Sequence, residues 1–175
     1  QAPSGVDNFS WSPDGSLFSY VTQDENPHKK LIDEHLDAFE VGDNDYLHTS
    51  ESLPGHLWVI SASAGKARRL TSGAWSLETI DPTVTSDVTW SADGKKIAFI
   101  HFPTPLIGDS LGSAIETVDV RSGQRSRLTG NTTLEGNPTF APAGNLIAYT
   151  RNTGGDPTNG VAIYVTRVGG GAGIN

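Results

Sequence analysis

The pentapeptide Gly108-Asp109-Ser110-Leu111-Gly112 matches G-x-S-x-G, the sequence around the nucleophilic serine of many hydrolases. That chemistry requires a strand before the serine and a helix after it, because the sharp turn between them exposes the hydroxyl. Here Pro103 and Pro105 precede the motif, and a strand-like segment over 115–120 follows it. The hydrolase order also requires a histidine after the serine, and the last histidine is His101. We therefore predict a loop and no catalytic residue in this chain.

A second group of reactive side chains lies in an acidic segment over residues 23–55. Its histidines, in the segment or directly beside it, are His28, His35, His48 and His56. Its carboxylates include Asp33, Glu34, Asp37, Glu40, Asp43 and Asp45. Imidazoles and carboxylates can hold a metal, but neither the H-E-x-x-H spacing nor that of a calcium loop is present. The pattern favours a solvated acidic loop, and we predict neither a metal nor a cofactor.

The same segment contains one helical signal. Ile32, Leu36 and Phe39 are spaced so that they share one face of a helix. We predict a short helix over 29–39, and the alternative is an irregular loop with a buried phenylalanine.

An internal repeat places these segments in a fold. Ser10-Trp11-Ser12-Pro13-Asp14-Gly15 returns as Thr89-Trp90-Ser91-Ala92-Asp93-Gly94 and, more weakly, as Thr139-Phe140-Ala141-Pro142-Ala143-Gly144. The aromatic residues are 79 and 50 residues apart, and propeller blades have about 40–50 residues. The first unit therefore contains an insertion.

Each unit is predicted to form four short strands. A tight Gly turn follows the aromatic residue, and a second strand with alternating large and small residues comes next, at 17–21, 96–100 and 146–150. Third strands are predicted at 57–60, 115–118 and 163–166, and fourth strands at 68–71 and 126–129. We expect the last unit to stop within its fourth strand.

The fold class predicted is an all-β partial propeller of three four-stranded antiparallel blades, part of a larger propeller of seven or eight blades. The blades are expected at about 6–71, with the insertion 23–55, at 86–129 and at 136–175. Three blades cannot close a ring, since propellers use about 4–8. Further blades of the same protein, or of a partner chain, are therefore expected.

The long and short connections alternate along the repeat. In an antiparallel blade, the turns 1–2 and 3–4 share one rim, and the remaining connections share the other. All the long segments fall on the second rim, where binding residues are expected because long loops on rigid scaffolds often carry function. The candidates for substrate or partner contact are Tyr46, His48, Trp75 and Arg151, for each of which packing or plain surface exposure is the alternative.

The repeat resembles that of the prolyl oligopeptidase family, which includes dipeptidyl peptidases and acylaminoacyl peptidases. The residues that carry the resemblance are Trp11-Ser12-Pro13-Asp14-Gly15, then Leu57-Trp58-Val59, then Arg68-Arg69-Leu70-Thr71. The periplasmic propeller of the Tol system has a similar repeat. In the peptidases such a propeller precedes a hydrolase domain and restricts the entry of substrates. The resemblance therefore implies a non-catalytic segment that shapes the access of short peptides to a hydrolase domain outside this chain.

Two alternatives remain beside that interpretation. One is a protein-binding propeller scaffold of the cell envelope with no hydrolase domain. The other, from a different class, is a lyase or glycan-active propeller, in which His48 or His101 would take part in chemistry on the rim. A downstream nucleophile motif followed by Asp and His would favour the peptidase over both.

Composition narrows the partners. The 175 residues include no cysteine, which excludes thiol catalysis, zinc fingers and disulfides. The formal charge of -8 argues against nucleic acid and anionic membranes as partners. We expect no transmembrane span, a periplasmic or secreted location with the cytoplasm as the alternative, and peptide substrates. Self-association into an oligomer is compatible with the sequence.

Overall fold

Antiparallel strands form three separate sheets in the computed structural model, which describes residues 5–36, 38–39, 50–63, 65–79, 81, 86–130, 133–143 and 145–169. The first sheet contains β1 (Asn8–Trp11), β2 (Leu17–Gln23), β3 (Gly55–Ser61) and β4 (Arg68–Arg69). The second sheet contains β5 (Thr89–Trp90), β6 (Lys96–His101), β7 (Ala114–Asp119) and β8 (Arg125–Arg127). The third contains β9 (Glu135–Phe140), β10 (Leu146–Asn152) and β11 (Val161–Arg167).

Consecutive strands are hydrogen-bonded neighbours in every sheet, as in the blades of a propeller. The prediction of a partial all-β propeller is therefore confirmed. The third sheet has three described strands. Its expected fourth strand falls in 170–175, which lies outside the described residues.

The tight turn between the first two strands depends on one aspartate. Gly15 has a positive φ of 69°, and the Ser12 hydroxyl donates to the Asp14 carboxylate at 2.7 Å. Ser91 and Asp93 make the same bond in the second sheet. A hydroxyl or amide that donates to a carboxylate stabilises the charged form, so these bonds lower the pKa of both aspartates. The turn signal in the repeat thus has a local electrostatic cause.

The sheets pack face to face, so that a face with large side chains contacts a face with small ones. Ser19 is a small residue on the face that the first sheet turns toward the second, and the Trp90 indole donates to its hydroxyl at 2.9 Å. Both side chains are buried. The apolar core around this bond includes Val21, Leu57, Val59, Ile97, Phe99 and Val118. A second core lies between the second and third sheets and includes Ala98, Ile100, Ile115, Phe140, Ile147, Tyr149 and Tyr164.

Each end sheet has one face that no other described strand covers. Trp11 occupies the repeat position of Trp90, yet its side chain is 56% exposed whereas that of Trp90 is 7% exposed. On the third sheet, Ile163 occupies the position of Ile115, and their side chains are 67% and 0% exposed. The two outer faces are therefore equivalents of faces that are buried between sheets elsewhere in the chain.

Short and long connections lie on opposite rims. The first-to-second and third-to-fourth strand turns share one rim. The other, which we call the decorated rim, contains the connections 24–54, 70–88, 102–113, 128–134 and 153–160. The first strands contact each other in the order β1, β5, β9, so they lie innermost.

The helix predicted over 29–39 is shorter than expected. It spans Lys29–Asp33, and His35 then adopts a left-handed φ of 58°. The Leu36 amide donates to the Leu31 carbonyl at 2.8 Å, which closes the helix end. Ile32 and Leu36 are exposed, so the expected buried stripe with Phe39 does not form. No helix among the described residues has the length and apolar character of a membrane span.

The Trp90–Ser19 hydrogen bond gives a stability prediction. Replacing Ser19→Ala leaves the indole N–H buried without its acceptor, which costs about 1–3 kcal/mol. The free energy of unfolding from denaturant titration measures this loss. In a Trp90→Phe background the same substitution is expected to cost much less, because the donor is gone. Equal losses in both backgrounds would contradict an interaction between the two side chains.

Candidate functional site

A groove of about 560 Å³ opens on the decorated rim between the second and third sheets. Its walls mix apolar and polar side chains in similar shares, and the apolar lining residues are Ile100, Phe102, Leu111, Leu134, Pro157 and Val161. Its polar lining includes Asp87, Glu135, Asn137, Thr150, Arg151 and Asn152. A concave surface of this size that combines apolar side chains with convergent polar groups is a candidate ligand site. We call it the inter-sheet groove.

Arg151, one of the four predicted contact residues, lines this groove. It is the penultimate residue of β10 and the register partner of Glu135 in β9. The guanidinium lies 4.2 Å from the centre of the Tyr164 ring, which holds it against the third sheet by a cation–π contact. Arg151 is thus fixed in position before any ligand arrives.

Glu135 is fully buried beneath the groove. The Thr129 hydroxyl donates to its Oε2, and the Ile115 amide donates to the same oxygen at 3.3 Å. Its own amide donates to the Ser113 hydroxyl at 2.9 Å. These bonds join the connection 128–134 to the second sheet and keep the floor of the groove in place.

The inner end of the groove is formed by the first strands. Asp87 and Asn137 line it, and each stands three residues before the repeated aromatic residue, as does Asn8. Asn137 has a left-handed φ of 50°, and its amide donates to the Thr150 hydroxyl at 3.1 Å. The register of β9 with β10 shifts at this point. This bulge turns Asn137 out of the regular ladder, beside the groove.

Trp75 lies elsewhere, in the contact between the first and second sheets. Its ring stacks on Phe99 at 5.9 Å, and the ring centres of His56 and His101 lie 5.2 Å and 4.6 Å away. The Arg125 guanidinium lies 4.4 Å from the Trp75 ring centre. Trp75 is buried there. In this arrangement the side chain packs the two sheets together.

The two histidines beside Trp75 have lowered pKa values. Burial, together with the charges of Arg127 and Arg125, lowers the pKa of His101 to about 4. Burial and the charge of Arg69 lower the pKa of His56. Both rings are therefore neutral near pH 7, although each has a carboxylate within 4 Å, Asp24 for His56 at 3.8 Å and Glu116 for His101 at 3.7 Å. Neutral imidazoles suit a packed contact between sheets.

Two of the predicted contact residues, Tyr46 and His48, lie outside the described residues. Within the described part of the chain, no three His, Asp or Glu side chains come together as a metal site. The G-x-S-x-G segment lies in a short 3-10 helix, Ile107–Gly112, between the bridge at Phe102 and β7. Asp109 accepts a hydrogen bond from the Thr104 hydroxyl at 2.6 Å. The prediction of a loop at this motif agrees with that geometry.

Arg151 was predicted as a contact residue of this rim, whereas Glu135 was not. No sequence pattern near Glu135 identifies it, because its role depends on hydrogen bonds to a neighbouring sheet. Asp87 and Asn137 share one position of the repeat, three residues before the aromatic residue. This shared repeat position was the available sequence signal, but it does not indicate contact with the neighbouring sheet.

Comparison with known proteins supports the fold. No protein-family model matches the chain, and no curated protein matches it in sequence. The chain is similar to the structure of a TolB from Agrobacterium tumefaciens, with a TM-score of 0.62 and 18% identity over 98% of this chain and 48% of that one. The likeness is one of fold, and this chain spans about half of that protein's length.

Two peptidase structures share the same fold. The AtxE2 isopeptidase has a TM-score of 0.65 and 12% identity, over 99% of this chain and 29% of that one. Prolyl oligopeptidase B from Galerina marginata has a TM-score of 0.58 and 14% identity, over 97% of this chain and 21% of that one. The predicted resemblance to the propellers of the Tol system and of prolyl oligopeptidases is therefore confirmed at the level of fold. The chain spans less than a third of each peptidase.

Glu78 is a further buried acid on the decorated rim. It lies in the connection 70–88 and packs on Gly55, where a Cβ would come within 2.4 Å of the Glu78 side chain. Burial, and next the negative charge of Asp7, raise the pKa of Glu78 to about 8. The folded chain therefore holds a proton at Glu78 at pH values where the unfolded chain has released it.

This proton makes stability depend on pH. The contribution of Glu78 is fully present below its unfolded pKa near 4.5 and is lost as the pH rises toward 8. We expect the free energy of unfolding of the wild-type protein to fall by roughly 2–4 kcal/mol between about pH 5 and pH 9. In Glu78→Gln, which has no proton to release, this fall should be absent. The measurement is the unfolding free energy of both proteins across that range. Glu25→Gln, at an exposed acid, is the matched control, and parallel curves for wild type and Glu78→Gln would refute the assignment.

Proposed function

We propose that this chain is a non-catalytic propeller segment of a serine peptidase similar to the prolyl oligopeptidases. Its decorated rim shapes the access of short peptides to a hydrolase domain that lies outside the chain. The observation that carries the proposal is the inter-sheet groove, which opens on the rim that bears the long connections. Peptides are suitable ligands because the groove combines apolar walls with amide, hydroxyl and charged groups.

The uncovered outer faces support a larger propeller. Trp11 and Ile163 are exposed at positions where Trp90 and Ile115 are buried. Large exposed apolar patches are rare on monomeric proteins and mark contact sites. We propose that further blades of the same protein cover both faces. The greater length of the TolB and peptidase structures is consistent with this arrangement.

The second candidate is a protein-binding propeller scaffold of the cell envelope. Its support is the likeness to TolB, whose TM-score of 0.62 is close to the 0.65 of the isopeptidase. A scaffold of this kind would use the same rim for a protein partner and would have no hydrolase domain. A periplasmic or secreted location belongs to both candidates.

The two candidates differ in whether the natural protein contains a nucleophilic serine. We expect the protein isolated from its natural source to have an intact mass well above the 18.5 kDa of this chain and to bind one fluorophosphonate at a single serine. Intact-mass spectrometry before and after labelling measures both quantities. A natural protein that takes up no label would exclude the serine peptidase and leave the scaffold.

The gating role predicts a dependence on peptide length. Leu111→Ala and Leu134→Ala each widen the groove, so the natural enzyme should then cleave peptides several residues longer, while kcat/KM for the shortest substrate stays within about twofold, well under 1 kcal/mol. A ladder of peptides of increasing length, assayed by mass spectrometry, measures the cutoff.

Leu31→Ala is the matched control for this experiment. Leu31 lies on the helix and does not line the groove, and its side chain is 41% exposed, against 45% for Leu111 and 39% for Leu134. The control should leave the cutoff unchanged. An unchanged cutoff in the groove variants as well would show that the groove does not restrict entry.

A further inference from the structure

An aspartate or asparagine stands directly before a glycine at three places in this chain, Asp14-Gly15, Asp93-Gly94 and Asn159-Gly160. The two residues of such a pair can react with each other, because the glycine nitrogen can attack the side-chain carbonyl carbon and close a five-membered ring. Glycine permits this approach, since it has no Cβ to crowd the nitrogen. The structure distinguishes the three pairs by the surroundings of that nitrogen and of that carbonyl.

The two Asp-Gly pairs are protected by the tight turns that contain them. The Gly15 amide donates to the Ser12 carbonyl at 2.9 Å, and the Gly94 amide donates to the Ser91 carbonyl at 2.9 Å. Hydrogen bonds from the serine side chains also lower the pKa of both aspartates, so their carboxyl groups are ionised. An ionised carboxylate resists attack by a nucleophile. Each turn therefore holds the attacking nitrogen and deactivates its target.

The Asn159-Gly160 pair has neither protection. Its side chain is a neutral amide, and both residues are exposed, in the connection 153–160 of the decorated rim. In the described part of the chain, the Gly160 amide donates to no acceptor. A Cβ built on Gly160 would meet no atom within 4 Å, so the space around this residue is open. The attacking nitrogen is therefore available to the side chain before it.

One exposed hydrogen bond among the described residues holds the Asn159 side chain, whose Nδ2 donates to the Thr153 carbonyl at 2.9 Å. The side chain must leave this acceptor to reach the Gly160 nitrogen. The net contribution of a single exposed hydrogen bond is small, because water replaces the lost partner. Local opening of a surface loop is therefore enough to start the reaction.

We propose that Asn159 is a site of spontaneous deamidation on the decorated rim. The Gly160 nitrogen forms a bond to Cγ of Asn159 and gives up its proton, the Cγ–Nδ2 bond breaks, and ammonia leaves. Solvent water then opens the five-membered imide at either carbonyl and leaves an aspartate or an isoaspartate at position 159. Neither step uses an oxidant, a cofactor or another protein, so the reaction does not depend on the proposed function.

The product changes the side of the inter-sheet groove that the third sheet forms. A carboxylate at position 159 cannot donate to the Thr153 carbonyl, and it adds one negative charge. Asn152, which lines the groove, donates to the Asn159 carbonyl at 2.9 Å, and the lining residues Pro157 and Val161 stand on either side of the reacting pair. An isoaspartate also adds one methylene to the main chain between them. Deamidation is therefore expected to alter the groove slowly and irreversibly.

The test follows the purified chain over time at neutral and mildly alkaline pH. Trypsin cleaves after Arg151 and Arg167, so mass spectrometry reports Asn152 and Asn159 in one peptide, 152–167, in which fragmentation distinguishes them. A synthetic peptide of the same sequence is the unfolded reference. We expect the folded chain to convert Asn159 within about tenfold of the peptide rate, or about 1.4 kcal/mol, while Asn152 stays intact. A slower conversion, or a reaction at Asn152 in place of Asn159, would overturn the proposal.

Gly160→Ala tests the attack by the glycine nitrogen. The added methyl group has open space in the fold, yet it crowds that nitrogen, so the rate at Asn159 should fall by about tenfold or more. Gly130→Ala is the matched control, because Gly130 is equally open and does not follow an asparagine or aspartate. The control should keep the wild-type rate, and thermal unfolding establishes that both variants are folded. An unchanged rate in Gly160→Ala would contradict the ring-closing step.

The protected pairs supply a measurement that depends on the fold. In the folded chain, isoaspartate is expected at position 159 well before it appears at Asp14 or Asp93. Denaturant opens the two turns and frees their glycine amides, so both sites should then react faster than they do in the folded chain. Isoaspartate that forms at Asp14 and Asp93 as fast as at position 159 in the folded chain would refute the assignment of Asn159 as the reactive site.

Discussion

Every sheet in this chain must cover the face of its neighbour, and that packing constraint organises the rest of the molecule. The Trp90 indole is the clearest instance, since it packs into the small face of the first sheet and finds its acceptor at Ser19. A larger residue at Ser19 would occupy the space of the indole, and a smaller one at Trp90 would leave a cavity. The alternation of large and small side chains in the second strands is therefore a direct consequence of stacking blades.

The groove follows from the same constraint. It opens beside the second and third sheets, where Leu111, Leu134 and Pro157 of three long connections line it. Between the second and third sheets the Glu135 side chain is bonded to the connection and to β7, so the floor of the gap is fixed. The bulge at Asn137 lies at the inner end. A binding surface thus arises where packing between sheets ends, on backbone that the core holds rigidly.

Local features of the fold could be predicted from the sequence, and features that join sheets could not. The turn at Asp14 and the second strands depend on neighbours within about six residues, so their pattern in the sequence was sufficient. The helix near Lys29 was predicted too long because His35 adopts a left-handed backbone conformation. The residue type alone does not predict that conformation. Trp75 and Arg151 looked alike as candidates on the rim, yet one packs between sheets and the other lines the groove. The difference depends on which neighbouring sheet each side chain contacts. Such contacts cannot be predicted from a single sequence.

The separation of the two rims has a consequence for how such a protein can change over generations. Residues of the decorated rim connect strands whose positions are already set by the cores. Closing a connection of twice the length costs only about 0.6 kcal/mol more, so the segment 24–54 can grow or shrink with little effect on folding. Selection can therefore replace whole connections to suit a new ligand while Trp90 and Ser19 stay as they are. A lineage built in this way would diversify by the length of its loops sooner than by the composition of its sheets.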